Sequence, residues 1–204
     1  MANFLFDEKA ALAAGGSAAG KKCLDTGVYD ITINTVSKTI ASTGTIGIDW
    51  NFTVKNSKYP NIVYNMWLEK ANGDKIFNMD TLQGLMGLIG AKSLTEYSKE
   101  IDVRDGKKTV TAYKELDGVA CKVAVQKVMG FYNGEVTEKN EIKAFFNENC
   151  QTYAEAVRAS EPKQCTYFSE KLKDKEDKDY KAYMADAEDE TSDESSDESS
   201  KSLL

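Results

Sequence analysis

The sequence predicts a mainly β body, a small five-stranded antiparallel barrel carrying one or two short helices. Three observations lead there: apolar residues alternate at period two through several separate runs, a single early segment switches to helical spacing, and tight-turn pairs join neighbouring runs. With 204 residues, 41% of them apolar, the chain is long enough to bury a core without covalent staples.

Residues 1–26 pass through an alanine-rich stretch into Gly15-Gly16-Ser17-Ala18-Ala19-Gly20, which predicts a flexible leader. The body is expected over residues 27–148. Val28 to Ile33 reads as its first strand. The clearest alternation follows, with Ile46, Ile48, Trp50, Phe52 and Val54 on one face and Gly47, Asp49, Asn51, Thr53 and Lys55 on the other. A third run places Ile62, Tyr64, Met66 and Leu68 opposite Val63, Asn65, Trp67 and Glu69, and Asn72-Gly73 supplies a tight turn. Leu82, Leu85, Met86 and Ile89 then adopt helical spacing behind Asp80, an N-cap residue with Gln83 three positions on, and Gly90 closes the helix. Weak strand signals at Ile101 to Arg104 and Thr109 to Tyr113 precede a strong one from Val119 toward Phe131. Tyr132-Asn133-Gly134 turns the chain into Glu135 to Thr137, with a further apolar element at Ile142 to Phe146. Residues 149–173 form a helical extension in which Thr152 and Glu155 are spaced to cap a helix that Pro162 ends.

Charge divides the chain. Residues 174–204 hold 12 acidic and 4 basic side chains, a net charge of -8, while the remainder is close to neutral at +1. The near-repeat from Ser192 to Ser200 has too little apolar surface to offset its ordering entropy, so residues 174–204 are expected to be a disordered acidic tail ending in Leu203-Leu204. The chain has no histidine, which removes the usual general acid/base and metal-ligand chemistry. Cys23, Cys121, Cys150 and Cys165 form no C-x-x-C pair and are read as reduced structural thiols. There is no phosphate-binding glycine loop, and body carboxylates lie among lysines as in surface ion pairs. The expectation is a non-enzyme without cofactor or metal. No apolar run approaches the roughly 20 residues needed to span a bilayer, and the first residues lack a signal peptide's basic lead, so a soluble, cytoplasmic protein is expected.

Three strands, a short helix and two more strands is the element order of an OB-fold. With Gly27-Val28-Tyr29-Asp30-Ile31-Thr32-Ile33 at the start of the body, a later Leu116-Asp117-Gly118-Val119-Ala120-Cys121-Lys122-Val123 strand and an acidic tail, the chain resembles bacteriophage single-stranded DNA-binding proteins. The resemblance implies an OB-fold that coats and protects single strands during replication or recombination in the host cytoplasm. It further implies an acidic tail that contacts replication or recombination proteins and competes for the DNA groove. The tail departs from that family in ending on two leucines rather than an acidic-then-aromatic tip. The alternative is a structural or protein-interaction module of a phage that does not bind DNA; either reading allows a homodimer.

Single-strand binding needs cations for phosphates and aromatic faces for bases. Candidates are Lys55, Lys58 and Tyr59, then Trp67, Lys75 and Phe77, then Arg104, Lys107, Lys108 and Tyr113, and finally Lys122. Trp67 is the leading stacking platform because it lies opposite the apolar face of its strand, whereas Trp50, Phe52, Tyr29 and Tyr64 are expected in the core. Asp193, Glu194, Asp197, Glu198, Leu203 and Leu204 are the partner-binding candidates of the tail.

Overall fold

A computed structural model describes residues 23–57, 61–103 and 106–193. Its architecture is an open, mainly antiparallel sheet of eight strands with few helices. In chain order the elements are β1 (Gly27–Ile40), β2 (Ile46–Val54), β3 (Asn61–Glu69), α1 (Asn78–Leu88), β4 (Glu96–Val103), β5 (Gly106–Tyr113), a 3-10 turn (Lys114–Leu116), β6 (Ala120–Tyr132), β7 (Glu135–Phe146), α2 (Tyr153–Val157), α3 (Lys163–Lys171), β8 (Lys175–Glu176) and α4 (Lys178–Asp193).

β1 organises the sheet because it is long enough to serve two neighbours on one edge. Its first half pairs with β6 from Gly27↔Val125 to Thr32↔Ala120, and its second half meets β5 at Ser37↔Ala112. The other edge carries β2 and then β3. One path through the sheet therefore runs β3-β2-β1-β5-β4, and a branch leads from β1 through β6 to β7 and β8.

The alternation expected for β2 and β3 is what the fold buries. Ile48, Trp50, Phe52 and Val54 join Ile62, Met66 and Leu68 in the main core, with Ile31, Ile33 and Val36 from β1 and Leu82, Leu85 and Met86 from α1. Trp50 packs against Phe145 of β7 with ring centroids 5.1 Å apart. Burying such apolar surface is the principal drive for folding, at roughly 25 cal/mol per Å². α1 packs on both β3 and β7.

Four expectations are corrected and one is extended. Among the described residues the strands number eight and no ladder joins β3 to β7, so the five-stranded closed barrel is replaced by an open sheet. The two weak signals near residue 100 are a full hairpin, β4–β5, paired from Glu96↔Tyr113 to Val103↔Gly106. One of its faces is polar apart from Tyr113 and the other mixes Lys99 and Lys108 with Tyr97, Ile101 and Val110, which is why periodicity underrates it. α1 begins at Asn78, ahead of the expected Asp80 cap, with Phe77 at the N-cap and no side-chain cap bond. The expected leader does not reach residue 26: buried Leu24 is clamped by Asn140, which accepts from the Leu24 N–H at 2.8 Å and donates to its carbonyl at 2.8 Å. Disorder from residue 174 does not hold for 174–193. There β8 runs parallel to Val128 and Met129, and α4 docks by stacking Tyr183 on Phe131 at 4.2 Å and 9°. Residues 1–22 and 194–204 lie outside the described residues.

The capping box of Thr152 and Glu155 is present, although α2 is only five residues long. Asn133 and Gly134, at φ 52° and 83°, make the β6–β7 hairpin turn that their types favour.

Candidate functional site

Register partners in antiparallel strands project to the same side, so the ladders define what shares a face. Asn65 pairs with Asp49, Asp49 with Ser37, Ser37 with Ala112 and Ala112 with Tyr97. This single row crosses all five strands of the β3-β2-β1-β5-β4 path, on the side away from Trp50; its middle, Ser37 and Ala112, is buried, and Asn65, Asp49 and Tyr97 on either side are half-buried. Beside it lie a row of Val63, Asn51 and Thr35 and a row of Trp67, Gly47 and Thr39. On the hairpin the same face carries Lys99, Ile101, Lys108 and Val110.

The face is rich in amides and hydroxyls that bond to one another. Asn65 donates to Asp49 at 2.8 Å. A bulge in β1 between Ile33 and Thr35 turns Asn34 to the same side as Thr35, and Asn34 donates to Asn51 at 3.0 Å and to Thr53 at 2.9 Å. The carbonyl of Asn34 accepts from Lys99 at 2.8 Å, and Lys99 also pairs with Asp117 at 2.7 Å. Tyr97 donates its hydroxyl to the same Asp117 oxygen, and that hydrogen bond holds the Tyr97 phenol above its usual pKa. The second Asp117 oxygen is buried with no hydrogen-bond partner among the described residues.

Trp67 lies at one end of this face because Gly47 leaves room for it. A Cβ on Gly47 would come within 2.6 Å of the Trp67 ring and 2.8 Å of the Met66 carbonyl. The half-buried indole thus rests on the backbone of β2, with the Trp67 carbonyl tied to the Asn78 amide at 3.0 Å. Beyond the free edge of β3, Val63, Asn65 and Trp67 form one wall of a groove of about 350 Å³. Phe77 and Asn78 before and at the start of α1, and Lys139 and Glu141 of β7, complete its lining.

The expected site residues are only partly brought together. Trp67 and Lys108 share the polar face, and Phe77 joins Trp67 at the groove. Lys75, bridged to the end of β3 opposite Glu69, is near that groove but does not line it. Lys107 points to the other side of the hairpin, where it pairs with Glu100 at 2.6 Å. Lys122 is held by Asp30 at 2.5 Å, and that bond raises its pKa. Tyr113 packs on the core, and burial pushes its phenol up. Lys55 is exposed past the end of β2. Asp193 is the last residue of α4. Lys58, Tyr59, Arg104, Glu194, Asp197, Glu198, Leu203 and Leu204 lie outside the described residues.

Sequence reasoning missed Asn34, Asn51, Asn65, Tyr97 and Lys99. The alternation of β2 and β3 already assigned Asn51 and Asn65 to the outer face; the hairpin residues carried no signal until register placed them. Among the described residues no group of three or more histidine, cysteine, aspartate or glutamate side chains is arranged to hold a metal ion. No helix there is long and apolar enough to cross a membrane. No protein-family model matches the chain, and no curated protein matches it either.

Proposed function

We propose that the chain is a sequence-tolerant single-stranded DNA-binding protein that acts without catalysis in replication or recombination, and that the outer face of β3-β2-β1-β5-β4 receives the strand. The observation that carries the reading is Trp67, laid over Gly47 beside the half-buried amides of Asn51 and Asn65. An aromatic on this side buries less than one in the core and leaves a π-face for a base, while side-chain amides and hydroxyls accept varied base edges. Exposed Lys108 supplies charge for phosphates at the hairpin end.

The strand order β3-β2-β1-β6-β7, with α1 between β3 and β7, supports an OB-type reading in which β4–β5 is an inserted arm widening the binding face. In this reading the acidic segment past residue 173 competes with phosphates and carries the contacts to replication or recombination partners. Removing it should tighten DNA binding at low salt, with the difference shrinking as salt rises.

Titration with a dT oligomer and with duplex of equal length, following tryptophan emission, tests the proposal. Trp50 is fully buried, so a change on binding reports Trp67. Quenching by the single strand and not by the duplex is expected; equal response, or none, overturns the reading. A second reading, a protein-binding module, is favoured by the mixed charge of the face, where Asp49 and Asp117 offset Lys99 and Lys108, and absence of DNA binding would turn to it.

A further inference from the structure

The groove between β3 and β7 has features that the fold alone does not require. Phe77 sits at the N-cap of α1, where a Ser, Thr, Asp or Asn side chain would satisfy a free helix N–H, and it makes no such bond. Its ring is instead 68% exposed, and Val63 beside the groove is 57% exposed. An exposed aromatic in place of a cap forfeits stability, and apolar side chains gathered around a concavity mark binding surfaces. The groove's size, about 350 Å³, lies at the lower end of sites that hold small molecules.

Its polar groups narrow the ligand. Asn65 and Asn78 each commit one amide N–H, to Asp49 and to the Trp67 carbonyl, so each keeps a side-chain carbonyl and a second N–H for a ligand. Lys139 has no ion pair with any described residue, whereas Glu141 already has Lys143 and Lys175 at 3.5 Å. Aromatic walls, amides that both accept and donate, and one uncommitted cation fit a planar, hydrogen-bonding ring carrying a phosphate. Trp67 and Asn65 belong both to this groove and to the polar face, so a chain lying on the face reaches the groove without a break.

We infer that the groove is a nucleobase subsite, in which one base of a bound single strand leaves the face, lies against Phe77 and Trp67, and has its phosphate held by Lys139. The inference rests on the single-strand reading above and adds a place where the strand is anchored. The ligand is an oligonucleotide; a peptide strand added along the free edge of β3 is the competing occupant.

The test uses the full chain and a dT oligomer carrying one photoreactive 4-thiothymidine. Cross-links mapped to Phe77 or to residues 61–69 are expected. Phe77→Ala should weaken binding about tenfold, within the range for one stacked base, without lowering the thermal midpoint, since the ring is exposed. Lys139→Ala should weaken binding and reduce the salt slope by about one. If the parent binds the oligomer while Phe77→Ala and Lys139→Ala bind as tightly, or cross-links map only to the hairpin, the subsite is wrong and the single-strand reading stands. If the parent does not bind the oligomer, both fall.

Discussion

Trp50 and Trp67 stand on adjacent antiparallel strands and face opposite sides of one sheet. Trp50 lies opposite Tyr64, fully buried and against Phe145; Trp67 lies opposite Gly47, resting on bare backbone at the edge of a polar face. The same residue type therefore does two jobs, and parity along the strand decides which. On the inner side the indole contributes packing. On the outer side its neighbours are amides and hydroxyls that take little from it energetically, so its exposed surface is free for a ligand.

The largest expected difference follows directly. Trp50→Ala should cost about 3–5 kcal/mol by emptying a filled core position. Trp50→Phe should cost less, because the indole N–H is buried without a partner among the described residues and its removal relieves that penalty. Trp67→Ala should cost only about 1 kcal/mol, yet abolish the emission change on adding single strands. Urea unfolding of the three variants checks this, and equal destabilisation by Trp67→Ala and Trp50→Ala would place Trp67 in the core and remove it as a platform.

Gly47→Ala probes the contact on which the outer indole depends. Its Cβ would collide with both the ring and the Met66 carbonyl, so destabilisation of about 1–3 kcal/mol is expected together with weakened single-strand binding. The ring accounts for only part of the collision. In the Gly47→Ala, Trp67→Ala double variant the stability loss should fall short of the sum of the singles, the signature of two groups in contact. Strict additivity in thermal unfolding would show that the ring does not rest on Gly47.

Buried and half-buried amides offer the next contrast. Asn140 is buried and holds both backbone groups of Leu24, so Asn140→Ala should cost about 1–3 kcal/mol and expose the chain before β1 to limited proteolysis. Asn51, on the outer face, should tolerate Ala at under about 1 kcal/mol because water replaces its bond to Asn34. Comparable losses at the two positions would contradict the division between faces.

The two faces differ in how far the sequence makes them legible. The inner face was legible: Ile48, Trp50, Phe52, Met66 and Leu68 follow a period-two pattern that burial enforces, and Trp67 was assigned outward by the same parity. The outer face was legible in its membership on β2 and β3 but not in its extent. Among the described residues the one ladder pairing of β1 with the hairpin is Ser37↔Ala112, supported by the Lys99 bond to the Asn34 carbonyl, and such long-range contacts leave no local pattern. The expected lysines failed to converge for a related reason. Charge says nothing about direction, and Lys107 and Lys122 find carboxylates across a strand that only the register reveals. Composition likewise pointed to disorder from residue 174 because an acidic stretch lacks apolar residues on average, whereas the β8 pairing, the Asp177 N–H on the Met129 carbonyl and the Tyr183 ring on Phe131 are contacts that composition does not register.

The phenols on the two faces should also separate by titration. Burial pushes the inner Tyr64 up to about 12, whereas outer Tyr97 is raised chiefly by its bond to Asp117. A raised folded-state pKa gives stability that is full below the unfolded value near 10 and is lost as pH climbs through the folded value. Between pH 10 and 12 stability should therefore fall, and Tyr64→Phe should flatten that decline. A decline unchanged in Tyr64→Phe would show that another group governs it.

The smallest effect expected is the sharpest test of parity, because it compares neighbours of identical chemistry. Lys107 and Lys108 are adjacent on β5, yet Lys107 faces away and pairs with Glu100 while Lys108 shares the side of Lys99 and Tyr97. An exposed ion pair contributes about 0–1 kcal/mol, so neither substitution by Ala should alter stability measurably. If a strand lies on the proposed face, Lys108→Ala removes one phosphate contact, which lowers the slope of log affinity against log salt by about one unit and weakens binding a few-fold at low salt. Lys107→Ala leaves Glu100 unneutralised on the far side, at a distance where screening by about 0.15 M salt suppresses its effect on the strand. Binding isotherms for both variants at several salt concentrations should thus part only in slope, and identical slopes would mean that the hairpin is not where the phosphates run.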